Sequence, residues 1–161
     1  MTQASPLAAL LAASLALAFG VAPAAAQPTF PVDDSASQVL DGGALRMRWE
    51  QVAPGPGQSS TITGQVVVLV RLDVSPWRGQ RGRLYMRLAP VPSGPVSAEW
   101  TSSGPLLPGR LRDGERGLVF IGAIASDRLE DRFRITLQAD GTRVTRTENL
   151  DFSFEFEPEL P

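Results

Sequence analysis

The chain has no cysteine and no histidine, and all fifteen of its basic residues are arginines. Without cysteine there is no disulfide framework. Without either residue there is no Ser-His-Asp triad, no Cys-His pair and no ordinary zinc site. The loop serines then have no base beside them in the sequence to activate them. The glycine-flanked stretches "GQRG" and "GERG" lack both the spacing and the lysine of a phosphate-binding loop. A formal charge of −2 over 161 residues argues against a broad nucleic-acid surface. Genomic composition is enough to explain a missing lysine, so no functional conclusion is drawn from it.

What is present first is an apolar start. Residues 1–26, MTQASPLAALLAASLALAFGVAPAAA, carry no charged side chain. The run from Leu7 to Val21, followed by Pro23 and Ala24–Ala26, reads as a secretory signal peptide cleaved after Ala26. Gly20 and Pro23 interrupt it short of the length a transmembrane helix needs. No later stretch is long and apolar enough to span a membrane as a helix, so no stable span is expected once the signal is removed. Export of a cysteine-free chain fits a bacterial periplasm or cell surface.

Residues 27–42 are rich in turn formers and are expected to be an extended arm, leaving 43–161 as a single domain. Within it, Leu45, Met47 and Trp49 alternate with Arg46, Arg48 and Glu50, the period of a strand with one wet face. "QVVVLVRLDV" (65–74) is apolar on both faces at first and belongs inside a sheet. Leu84, Met86 and Leu88 alternate with Arg83, Tyr85 and Arg87. Leu118, Phe120 and Ile124 share one phase, and Val119, Ile121 and Ala123 the other. Leu129, Phe133, Ile135 and Leu137 make another stripe, with Asp131 in its apolar phase. Asp140–Gly141 is a favourable tight turn and predicts a hairpin of 133–138 with 142–147. Phe152, Phe154 and Phe156 read as the closing core strand, with Ser153 and Glu155 facing water or the arginine-rich strands around Arg46 and Arg83. The sum is an all-β chain, expected as an antiparallel immunoglobulin-like β-sandwich of about seven strands, with a small closed barrel as the alternative.

The segment 89–109 holds five prolines. It reads as a binding loop or as two ordinary connections around a short strand over Val96–Trp100. Among the three tryptophans, Trp49 is expected in the core and Trp77 over one end of the sandwich. Trp100, beside the Pro-Gly segment, is the recognition candidate, with a core position as the equal alternative. Aromatic rings and arginines anchor interfaces, so Trp77, Arg81, Trp100, Arg110 and Arg112 are the candidate binding residues. Carboxylates at arginine-rich turns (Asp113 and Glu115, Glu130 and Asp131) are expected to be solvated charges rather than a hydrolase pair. Asp33, Asp34 and Asp41, or Asp127, Glu130 and Asp131, lack the positions of an EF-hand. No metal and no cofactor is expected.

Charge is uneven along the chain. Seven arginines stand against two acids between Arg46 and Arg87, and from Glu148 to Pro161 there are five acids and no base. The resulting reading is an exported, non-catalytic protein. Its partner is expected to be protein, either itself or another envelope component, in surface or periplasmic assembly, with a filament (pilin-like) subunit as the specific form. Chaperone–usher fimbrial subunits, which accept a neighbour's strand, are the analogy at fold level, with no matching motif. A carbohydrate- or envelope-binding module is the alternative, and a carboxylate-based hydrolase a distant third.

Overall fold

The computed structural model describes residues 27–40, 45–50, 55–57, 59–144 and 150–159. Residues 1–26, expected to be a signal peptide, and Asp41 lie outside them. Among the described residues the strands are β1 (Phe30–Val32), β2 (Gln38–Val39), β3 (Arg48–Trp49), β4 (Thr61–Asp73), β5 (Arg81–Leu88), β6 (Val96–Ser102), β7 (Gly109–Arg112), β8 (Arg116–Ala123), β9 (Arg128–Asp140) and β10 (Phe152–Pro158). They form two antiparallel sheets. One has the order β1-β10-β5-β8; the other has the order β2-β4-β9-β6-β7, with β3 also pairing β4.

The alternation in the sequence decides the faces. In β5, Gly82, Leu84, Met86 and Leu88 are buried while Arg81 and Arg87 are exposed. In β10, Phe154 and Phe156 go inward. In β9, Phe133, Ile135 and Leu137 are buried between exposed Arg132, Arg134 and Gln138. Side chains from both sheets meet in one core, with Leu72, Leu84, Trp100, Val119, Phe133 and Phe156 each no more than 1% exposed. Each such large side chain contributes roughly 1.5–3 kcal/mol by leaving water. The doubly apolar β4 is an interior strand, as its sequence suggests, with β9 along its whole length from Thr61↔Asp140 to Asp73↔Arg128.

Both seams between the sheets are crossed by the chain. At one, β7 leads through Asp113–Glu115 into β8, and the Leu107 N–H donates to the Val119 carbonyl (2.7 Å). At the other, β1 lies on β10 while the next strand, β2, lies on β4, and Asp33 bridges to Asp73 between them. Residues 27–40 are therefore extended but are not an arm ahead of the domain. Val32 is 6% exposed and Phe30 reaches the Trp77 ring at 6.4 Å between centroids. Val32 and Phe30 anchor the segment at the four-stranded sheet, and backbone pairing ties it to β4 on the other.

Three further expectations change. The second half of the expected hairpin does not follow Asp140–Gly141: residues 141–143 form a turn, and 145–149 lie outside the described residues. The physical reason is that β9 already has β4 on one side and β6 on the other, so no edge is left to pair. In β8 a register shift opposite Leu84 and Tyr85 puts Val119 inside and Leu118 outside. The extra residue of a bulge breaks strict alternation. Trp49, expected in the core, is 46% exposed. Its ring lies against Gly141, beside its strand partner Ile62 near the start of β4, and keeps one side open to solvent.

Candidate interaction surfaces

The five candidate residues do not form one site. Trp77 sits in a short 3-10 turn, Ser75–Trp77, with its ring 4.9 Å from that of Phe156 and tilted by 32°. It covers the end of the core and makes the seat for Phe30. Arg81 is nearby on β5 and is paired through Nε to Glu159 Oε2 at 3.1 Å. Trp100 is a correction: it is 1% exposed, so it cannot serve as a surface anchor. Its indole N–H donates to the Leu107 carbonyl (2.9 Å), and its ring lies 6.2 Å from Phe133. Gly109 and Gly117 make the slot, since a Cβ on either would stand 2.7 Å from the indole. The spacing of two from Val96 through Ala98 to Trp100 carries the inward phase. Arg110 and Arg112 are exposed on β7, in the other sheet.

The proline-rich segment resolves into two connections around β6, each tied down by a carboxylate. Asp113 accepts from the backbone N–H groups of Val96 (2.9 Å) and Val91 (3.3 Å). Asp131, 4% exposed, accepts from Ser102 Oγ (2.7 Å), Leu106 N (2.8 Å), Ser103 N (3.1 Å) and Arg132 N (2.6 Å). That explains an acid in the apolar phase of β9: a buried charge is tolerated when its lone pairs are filled. Its donors pin the loop 103–106 and leave it no role as an open cation ligand. Glu115 likewise accepts from the Arg112 N–H (2.9 Å). Among the described residues no three acidic, histidine or cysteine side chains are grouped to hold a metal ion.

On the outer face of the four-stranded sheet the charges are matched. Glu157, 5% exposed, lies 3.1 Å from Arg116 and 3.5 Å from Arg83. The Arg116 guanidinium stacks 4.1 Å over the Tyr85 ring. Arg87 bonds Glu155 at 2.7 Å. The acidic strand therefore finds Arg83, as expected, but its other partners are Arg81, Arg87 and Arg116 rather than Arg46. Cross-strand register produces this, because Glu157 is the Cα partner of Arg83 and Glu155 that of Tyr85.

On the outer face of the six-stranded sheet they are not matched. Arg110 and Arg112 on β7, and Arg132 and Arg134 on β9, are exposed and, among the described residues, have no ion-pair partner. Between the two pairs runs β6, which offers Ser97, Glu99 and Thr101 on that face. The signal for this cluster was not in the local sequence, since β7 and β9 come together only through β6.

The acids around the N-terminal crossing have shifted protonation. Hydrogen bonds from Ser35 hold the Asp33 carboxyl below its ordinary value, and those from Ser75 do the same for Asp73. Burial pushes Asp34 up, reinforced by the charges of Asp33 and Asp151. Asp140 is held low by Ser60 and Thr142. No family model, no curated protein and no solved structure matches this chain. No helix among the described residues is long and apolar enough to cross a membrane.

Proposed function

We propose that the chain is an exported, non-catalytic, immunoglobulin-like β-sandwich that acts by binding protein, as an assembly subunit whose N-terminal strand passes between copies. One observation carries the reading. β1 is a three-residue edge strand on β10, seated through Val32 and a Phe30 that is still 42% exposed. Beyond Asp33 an exposed turn at Ser35 and Ala36 leads to β2, and such a turn can act as a hinge. A neighbour's Phe30–Val32 would make the same contacts in the same seat, which is the low-cost logic of strand exchange. The like charges of Asp33, Asp34, Asp73 and Asp151 around that turn oppose docking of the segment and so lower the cost of releasing it. Export to the periplasm or cell surface rests on residues 1–26. The carbohydrate-binding alternative loses its anchor with Trp100 in the core.

The test uses the native absence of cysteine. Pro31 and Glu155 are antiparallel Cα partners, within the span a disulfide bridges. Chains carrying only Pro31→Cys are mixed with chains carrying only Glu155→Cys and oxidised. A disulfide-linked heterodimer, with larger species by light scattering at higher concentration, is the expected result. A mixture that yields no heterodimer, from folded chains, overturns strand exchange.

A further inference from the structure

We infer that the outer face of the six-stranded sheet, centred on Arg110, Arg112, Arg132 and Arg134, binds an anionic polysaccharide. This is independent of strand exchange, which uses the other sheet. Along each strand the paired arginines repeat every second residue, about 7 Å, and the two strands stand about 10 Å apart with β6 between them. The register sets the four along a diagonal: Arg112 lies opposite Ser97, Arg110 opposite Glu99 and Arg134 opposite Thr101, with Arg132 two residues further along β9, while Glu130 at the border is engaged by Arg71 and Arg128. A guanidinium fork matches carboxylate or phosphate oxygens in two parallel hydrogen bonds. The neutral side chains among them are Ser97, Thr101 and Thr136, which give and accept the hydrogen bonds that sugar hydroxyls need.

Composition separates a glycan from a protein partner. Protein interfaces gather aromatic and aliphatic anchors at a centre depleted of charge. Here the centre is charged and hydroxylated, and the exposed large apolar side chains lie elsewhere. Phe30, Leu107, Leu118 and Ile121 are off this group of strands, and Val39, Leu40 and Trp49 lie on the far side of β4. The folded chain also neutralises arginines elsewhere, as at Glu155, Glu157 and Glu159. Among the described residues the four on this face form no ion pair, with Glu99 the cross-strand neighbour of Arg110, which would strengthen attraction to a polyanion and make it sensitive to salt.

The experiment measures binding of the purified protein to polygalacturonate, neutral dextran and poly-L-glutamate at matched ionic strength. Polygalacturonate binding is expected to exceed polyglutamate binding by about tenfold or more and to weaken steeply with added salt. Arg132→Gln/Arg134→Gln and Arg110→Gln/Arg112→Gln should each weaken it by about tenfold. The charge-matched control Arg78→Gln/Arg87→Gln should leave it unchanged. Equal binding of polyglutamate, failure to bind polygalacturonate, or a control that loses as much as the two double variants each overturns the proposal.

Discussion

Glu157 lies between Arg83 and Arg116 on the outside of one sheet, while Arg132 and Arg134 point into solvent from the outside of the other with neutral Leu69 and Val67 as their partners on β4. Both regions are arginine-rich, and in linear order the β9 region is the better balanced: "RLEDRFR" holds two acids among its three arginines. The pleat undoes that balance. Alternation sends Asp131 inward to hold a loop, and Glu130 lies 3.5 Å from Arg71. Among the described residues Arg132 and Arg134 form no ion pair. In β10 the acids fall on the outer phase, and the register delivers each to an arginine. Local charge counts therefore say little about which face of a sheet is charged.

The comparison can be broken at graded depth. Phe156 supports the matched face from beneath and is fully buried; Phe156→Ala should cost about 3–5 kcal/mol through lost area and a cavity, read from urea unfolding. Asp131→Asn keeps an acceptor but turns an amide toward backbone donors. A loss of about 2–3 kcal/mol, with faster proteolysis in 103–106, is expected. Glu157→Gln leaves Arg83 and Arg116 without their shared carboxylate. Both arginines are more than 40% exposed and can rehydrate, so the cost should be about 1–2 kcal/mol rather than that of a fully buried pair.

The pH dependence is smaller still. Asp33, Asp73 and Asp140 are depressed by serine and threonine hydrogen bonds. Their contribution is complete above the unfolded value of about 4 and fades as pH falls through their lower folded values. Asp34, raised by burial, works in the opposite sense and gains from protonation. Acid titration of stability should therefore show a loss below about pH 4 that Asp140→Asn reduces. Smallest of all, Arg132→Gln/Arg134→Gln should change stability by less than about 0.5 kcal/mol, since no ion pair is lost. A larger loss would show that those charges are structural after all.

How far the sequence could be read follows the same physics. Alternation over Leu84–Leu88 and Phe152–Phe156 placed two core strands directly, because a period of two is a local property. It also set the phase of Trp49 with Leu45 and Met47, whereas Trp100 was read by its neighbours in the Pro-Gly segment and not by its spacing from Val96 and Ala98. Phase names a face and not how much lies opposite it, so one ring ended at the rim and the other in the centre. The missing hairpin after Asp140 and the arginine face share a cause: both depend on which strands flank β9, and that is settled by chain segments far away. Asp131 shows a third kind of difficulty, where a polar residue in an apolar row signals a loop anchor only once its donors are known.

The pairing of Phe30–Val32 with Phe154–Phe156 joins the two ends of the described chain. As the chain emerges during synthesis, the N-terminal segment exists long before its own β10 does. Closing that pair is the most non-local step in the fold, and such steps come late because a long loop must first be ordered. For that interval Phe30 and Val32 have no seat within their own molecule. Under the proposed strand exchange, crowding and the rate of delivery, and not only the final contacts, would then decide which molecule's β10 they meet.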